Sequence, residues 1–410
     1  MRSQQRLSVG ICREVMLDGE AAGADKRAQM SLPSLERRAL GPQVPEAPAP
    51  SSPASAPARR LVSAAALVES GLAAPERRAE IDAVAERYAI GVTPAIASLI
   101  ASGGPDDPIA RQFVPDAREL VRDPAEADDP IGDDAKSPLT GLVHRYPDRL
   151  LIKLVAVCAV YCRFCFRREK IGPGSPSLSE AEFSAALAYV RERPKIWEVI
   201  LTGGDPLTLS PRRIAGVTAA LAEIDHVKVL RWHTRLPVAE PERVSSAMAR
   251  ALVAEGRTSV VALHANHPRE LTPEARAACR RLAAEGVMLV SQSVLLRGVN
   301  DDVATLEALM RAFVETGVKP YYLHHPDLAP GTGHFRLPID EGQALVAALR
   351  ARISGLAMPT YVLDIPGGYG KVPIAQEHMS REAASGRRIR DAYGAEHRYF
   401  DRLGEDSPRR

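Results

Sequence analysis

The sequence specifies an α/β protein built on parallel strands, and three features say so. Apolar, β-branched runs recur at Leu150–Val157, Trp197–Leu201, Val227–Trp232, Ser259–Leu263, Val287–Leu295 and Val318–Leu323. Helical stretches separate them, opened by Ser179 before Glu180 and Glu182, Ser210 before Pro211, and Thr272 before Pro273 and Glu274. Gly256, Gly286 and Gly317 stand where helices would close in a left-handed cap. Six strand–helix repeats imply a parallel sheet, either curled as an incomplete barrel or open and doubly wound. In both arrangements the site forms at the carboxyl ends of the strands.

The 410 residues suffice for one large α/β domain with extensions, or for two ordinary domains. Residues 1–59 include the run GPQVPEAPAPSSPASAP from Gly41 to Pro57, too rich in Pro, Ala and Ser to bury a core, and this extension is expected to be disordered. Residues 60–140 carry apolar positions at helical spacing in LVSAAALVES and IDAVAERYAI, a helical preface to the main body. The strand–helix core is assigned to residues 141–335 and a C-terminal extension to 336–410.

A net charge of +2, with 25% charged and 45% hydrophobic residues, gives no ground for a nucleic-acid or membrane partner. The first twenty residues hold no uninterrupted apolar run, so no secretory signal is expected. No stretch reaches the length of a membrane-spanning helix. Five cysteines, three of them clustered, fit a reducing compartment, and a cytoplasmic location is expected.

Those three, Cys158, Cys162 and Cys165 in CAVYCRFC, narrow the chemistry most. Cys162 and Cys165 alone would suit a redox dithiol or half a zinc site. A third thiol disfavours a simple disulfide, and no Cys or His occurs within the fifty residues after Cys165 to complete a tetrahedral zinc site. Three thiolates on one loop suit a cuboidal iron–sulfur cluster with its fourth iron open, since such clusters otherwise take four cysteines. After the second strand comes Thr202-Gly203-Gly204-Asp205-Pro206, where two glycines admit close backbone approach to a ligand. Alone this would be only a turn; after a cysteine loop on the preceding strand it suits an amino-acid-like ligand held against the open iron.

Together these motifs resemble the radical S-adenosylmethionine superfamily and, within it, the lysine 2,3-aminomutase family. HRYPDR from His144, HANHP from His264, QSVLLRGVND from Gln292 and PGGYGK from Pro366 extend the resemblance over roughly Leu61 to Pro373. It implies an incomplete (β/α)6 radical-SAM barrel of parallel strands with an N-terminal helical segment and a C-terminal extension. It further implies a [4Fe-4S] cluster on Cys158, Cys162 and Cys165, with S-adenosyl-L-methionine (SAM) near Gly203, Gly204, Asp205 and Gln292. Lys371 is by the same resemblance the Schiff-base lysine for pyridoxal 5′-phosphate, with Arg145, Tyr146 and Arg149 as candidates for its phosphate. A glycine-rich approach suits such a lysine, because the chain can carry the amine to an aldehyde and withdraw it.

Asp327 and Asp364 match the family positions for the distal ammonium of lysine, and Arg167 the position for the substrate carboxylate, which its planar fork suits. Two carboxylates close together call for a cation between them and would repel an acidic substrate. The implied activity is the interconversion of L-lysine and β-lysine by 1,2-amino migration, an isomerase reaction. The alternatives are a relative making β-lysine to modify translation elongation factor P, or one acting on another basic amino acid; a non-catalytic iron–sulfur protein is disfavoured by the joint survival of all these motifs. A flavodoxin or ferredoxin is the expected electron donor, and a homo-oligomer is among the expected assemblies. Some family members hold a structural zinc between a core cysteine and a C-terminal cluster. Cys279 matches the core position but no cysteine follows it, so no zinc site is expected and Cys279 reads as a small buried hydrophobe.

Overall fold

A computed structural model describes residues 59–100, 106–381 and 386–400. The disorder expected of residues 1–59 falls outside the described residues at every position except Arg59. The preface comprises α1 (Ala64–Glu69), α2 (Arg78–Ala85), α3 (Pro94–Leu99) and α4 (Ala110–Phe113), short segments joined by turns. Strands β1 (Leu142–Tyr146), β2 (Arg149–Val155), β3 (Glu198–Gly203), β4 (Val229–Thr234), β5 (Thr258–His264), β6 (Met288–Val294), β7 (Lys319–His324), β8 (Thr360–Ile365) and β9 (Gly370–Pro373) form one sheet in chain order. Pairing is parallel from β2 through β8, while β1 and β9 add antiparallel at the two edges.

Helices α5 (Glu180–Arg191), α6 (Pro211–Ala222), α7 (Leu236–Ala239), α8 (Ser246–Ala251), α9 (Pro273–Ala284), α10 (Val303–Glu315) and α11 (Ile339–Arg350) occupy the crossovers. Ser179, Ser210 and Thr272 accept the expected capping hydrogen bonds at the starts of α5, α6 and α9. Gly286 and Gly317 close α9 and α10, whereas Gly256 lies in the turn before β5, several residues beyond the end of α8.

The alternation along each strand separates two environments. Leu150, Ile152, Val199, Leu201, Leu230, Trp232, Val261 and Leu263 face outward and pack with the helices in one core that also takes in preface residues Leu61 to Phe113. The intervening positions turn inward. Val229, Val260, Ala262 and Val290, with Tyr321 against them, make an apolar floor at the amino ends of the strands. Above that floor the inward positions turn polar. Each fully buried aliphatic side chain on the outer layer contributes roughly 1.5–3 kcal/mol, which fixes the register and leaves the inner face available for chemistry.

The sheet curls until its edges meet. The Lys371 N–H donates to the Tyr146 hydroxyl at 2.8 Å, joining the end of β1 to the start of β9. An incomplete barrel is therefore the realised alternative, not an open doubly wound sheet. The boundary expected at residue 335 does not divide it, because β8 and β9 continue the sheet. Among the described residues, β10 (Met379–Arg381), β11 (Gly386–Arg390) and β12 (Glu396–Phe400) form a separate antiparallel sheet. Among the described residues no helix is long and apolar enough to cross a membrane.

Candidate active site

A cavity of about 330 Å³ opens inside the barrel, lined by side chains from β1 through β9 and from the loops at their carboxyl ends. Every candidate site residue named from the sequence lies on its wall: Cys158, Cys162, Cys165, Gly203, Gly204, Asp205, Gln292, Arg145, Tyr146, Arg149, Arg167, Asp327, Asp364 and Lys371.

The cysteine loop leaves β2 and folds back onto the preface. Tyr161 N–H donates to Gly91 O at 3.1 Å and Arg163 N–H to Gln112 O at 2.8 Å. The Arg163 guanidinium is fully enclosed and meets the Glu119 carboxylate through Nε and Nη2 at 2.9 and 2.6 Å, while its Nη1 donates to Ala89 O at 2.8 Å. Arg168 joins the same carboxylate, donates to Arg163 O at 2.8 Å and lies 3.5 Å above the Tyr88 ring. Burial pushes Glu119 up, but the two arginines more than offset it and hold the carboxyl below its ordinary value. In the sequence these arginines read only as part of a cationic loop. Their partner lies 44 residues from Arg163, too far for a local pattern to reveal.

The Gly-Gly-Asp turn serves this loop as much as any ligand. Gly204 N–H donates to Val155 O at 2.6 Å and Asp205 N–H to Val157 O at 2.9 Å. A methyl group on Gly203 would stand 2.3 Å from Val155 O, and one on Gly204 2.2 Å from Val157 O. Both glycines are thus required by the backbone that leads into Cys158, and Gly203 additionally has φ +110°. The Asp205 carboxylate accepts from Thr234 Oγ1 at 2.7 Å, Arg235 N–H at 2.8 Å and Leu207 N–H at 3.0 Å. Burial raises its pKa against these bonds. The motif is a strut between β2, β3 and β4 as well as a cavity wall.

Burial likewise pushes the three thiols up, Cys165 to about 11. Three thiols on one wall are the number that a cubane with one open iron calls for. Cys279 sits in the core on α9, its thiol pushed up to about 12 by burial.

The opposite wall carries the amine and the carboxylates. Asp364 on β8 accepts from Lys371 Nζ at 2.8 and 2.7 Å and lies 3.5 Å from Arg145 Nη1 and 3.7 Å from His324 Nδ1. Burial pushes Asp364 up, yet His324 and Lys371 hold it below the usual carboxylate range. Asp327 lies on the same wall and is pushed up to about 7, by burial first and the Asp364 charge second. Asp133, which no sequence motif singles out, bridges Arg145 at 3.1 Å and Arg167 at 3.0 Å. Arg149 lies 3.8 Å over the Tyr146 ring and donates to Asp148 at 2.7 Å.

Several buried nitrogens around the cavity have no protein partner among the described residues: Arg145 Nε, Arg167 Nε, His233 Nε2 and His264 Nε2. Burial lowers both imidazoles well below their ordinary value, so they stand neutral. Buried donors left open around a cavity fit an occupant rich in acceptors, such as a phosphate or an amino-acid carboxylate. A signal for His233 and His264 was available. Polar residues at alternate positions of strands otherwise apolar, as in VLRWHT of β4, mark the lumen side.

Residues 152–309 match the model of the radical SAM superfamily. The L-lysine 2,3-aminomutase of Clostridium subterminale is 39% identical over 290 residues, covering 71% of this chain and 70% of its own. The chain belongs to the lysine 2,3-aminomutase family of radical SAM enzymes. A putative L-lysine 2,3-aminomutase of Aquifex aeolicus is 36% identical over 75% of this chain and 83% of its own. A glutamate 2,3-aminomutase of Clostridioides difficile is also 36% identical, over 73% of this chain and 70% of its own. Overall identity therefore does not separate a basic from an acidic substrate within this family, and the cavity must.

Proposed function

We propose that this aminomutase interconverts L-lysine and β-lysine. The observation that carries the reading is the charge of the far wall. Asp327 and Asp364 face one cavity together, and Asp327 is raised to about 7 by burial first and by the Asp364 charge second. A distal ammonium between them relieves that repulsion, whereas a distal carboxylate would add to it. This favours lysine over glutamate, although a relative named for each is similar to the same extent.

Cys158, Cys162 and Cys165 would hold the cluster, with SAM toward Gly203, Gly204 and Gln292. Lys371 would hold pyridoxal phosphate, with Arg145, Tyr146 and Arg149 toward its phosphate. When bound, these groups supply a carbon radical that removes hydrogen from the substrate and a conjugated ring across which nitrogen migrates. The chain's own part is positioning and protection. Before the cofactor binds, Asp364 holds Lys371 Nζ toward the cavity through two hydrogen bonds. Neutral His324 stands beside the same carboxylate, its Nδ1 3.7 Å from Asp364. Arg167 releases one bond to Asp133 to grip the substrate carboxylate, and Asp133 keeps its second bond, to Arg145. The apolar floor of Val229, Val260 and Val290 seals the barrel below, excluding water from a reaction that water and stray C–H donors would quench.

The test is anaerobic reconstitution with iron, sulfide, pyridoxal phosphate and SAM, followed by chromatography for β-lysine. Lysine left untouched while glutamate or another amino acid is converted would overturn the assignment of substrate. The enantiomer of lysine consumed separates the free-lysine activity from production of β-lysine for translation elongation factor P.

A further inference from the structure

One buried cation approaches the cysteine loop from the barrel side and has no part in the mechanism above. Arg235 follows β4 and is enclosed by protein. Its Nη1 donates to Cys162 Sγ at 3.1 Å. Its Nη2 donates to Gln112 Oε1 at 2.8 Å and forms a short ion pair with Glu270. The guanidinium lies 4.7 Å over the Phe113 ring and 5.7 Å from Phe164.

Each contact fixes the others. Glu270 is held by the Asn266 and His267 amides at 2.8 and 3.0 Å, and Gln112 Nε2 donates back to it at 3.2 Å. Asp205 accepts the Arg235 main-chain N–H, so the Gly-Gly-Asp turn sets where this side chain starts. Arg163 and Arg168 differ, because both direct their charge to Glu119 on the far side of the loop. Among the described residues, Arg235 is the cation that reaches a cluster sulfur.

We infer that Arg235 is a positioning residue that sets the reduction potential of the cluster through its charged hydrogen bond to Cys162. A neutral thiol accepts such a bond weakly, whereas a thiolate bound to iron accepts it well and gains negative charge when the cluster takes up an electron. The bond is therefore stronger in the reduced state and draws the potential upward, as hydrogen bonds and charge near cluster sulfurs do. The step concerned is addition of one electron from an external reductant to the cluster, with no bond made or broken. Glu270 tempers the effect by partly neutralising the guanidinium. The consequence is a cluster easier for a weak donor to reduce. The inference rests on the assignment of the cluster to Cys158, Cys162 and Cys165, not on lysine as substrate.

The experiment is potentiometry of the reconstituted holoprotein with dithionite and mediators, the reduced cluster read by electron paramagnetic resonance. Arg235→Leu alone would leave Glu270 buried without its partner and risk the fold, so it is combined with Glu270→Gln. The double variant should be harder to reduce than wild type by about tenfold in the equilibrium constant, which is ~59 mV for one electron. Glu270→Gln alone should move the potential the other way, and Arg235→Lys should fall between wild type and the double variant. Iron content measured on each sample separates the two assignments. Wild-type protein that holds no cluster overturns the site itself and the inference with it. Double and single variants that load iron normally and reduce at the wild-type potential, to within a factor of two, would show Arg235 to be only structural and overturn the inference alone.

Discussion

The two walls of the cavity use the same residue types to opposite ends. Around the cysteine loop, Arg163, Arg168 and Arg235 meet Glu119 and Glu270 in pairs almost wholly withdrawn from water. Each carboxylate there accepts from two or more donors, and each arginine also donates to protein carbonyls, amides or sulfur. Around Lys371 the carboxylates are shared more widely: Asp133 between two arginines, Asp364 between a lysine, an arginine and a histidine, while among the described residues Asp327 makes no ion pair. The first set, the scaffold wall, is satisfied mainly by protein groups. On the proposed function, the second is a set of exchangeable partners that substrate and cofactor can take over.

Substitutions on the two walls should therefore fail differently. On the exchangeable wall, Lys371→Ala should abolish turnover while leaving the fold intact, because Asp364 keeps Arg145 and His324. The visible band that pyridoxal phosphate shows when bonded to a lysine amine should disappear; a retained band would move that lysine elsewhere. On the scaffold wall, Glu119→Gln strands two buried arginines, and breaking a buried pair in this way costs about 3–5 kcal/mol. Thermal unfolding should show the loss even in apoprotein, and a midpoint equal to wild type would mean that the loop does not depend on this pairing. Asp327→Asn should leave the fold intact and weaken lysine binding by about 2–5 kcal/mol, the range for losing one side of a buried charge pair. Equal affinity in a calorimetric titration would place the ammonium elsewhere.

The contrast also explains what could be read from the sequence. The exchangeable wall was legible because its residues sit in short motifs: PGGYGK carries Lys371, and HRYPDR carries Arg145, Tyr146 and Arg149. Six strands were legible from continuous β-branched runs, since parallel strands are buried on both faces. Neither β8 nor the two edge strands stood out in the sequence: LVHRY of β1 is half polar, its inward positions belonging to the cavity, TYVLDI of β8 carries Asp364 toward it, and GKVP of β9 is four residues with a glycine and a proline. The scaffold wall was opaque for a different reason. Glu270 lies 35 residues from Arg235, and Gln112 lies 123 residues from it, so neither pairing leaves a periodic trace. Only the fold brings them together.

The finest distinction between the walls is in their response to pH. Asp327 is raised from 3.8 to about 7, so in the empty cavity it holds a proton below that value. Lysine's ammonium needs the carboxylate, and proton and substrate compete for one group. Apparent affinity for lysine should be constant above about pH 7 and fall below it, by at most about 1.4 kcal/mol per pH unit, since one proton is displaced. The stability of the substrate-free protein should run in the opposite sense. A carboxyl raised on folding contributes stability that is present in full below its unfolded value and is lost as pH rises through about 7. Glu119 and Asp364 are held low and do not titrate in that window, so the scaffold wall is silent there. Asp327→Asn should flatten both profiles, measured as KM for lysine and as the unfolding midpoint between pH 6 and 8. A KM profile unchanged by that substitution would assign the titration to another group and remove Asp327 from the substrate.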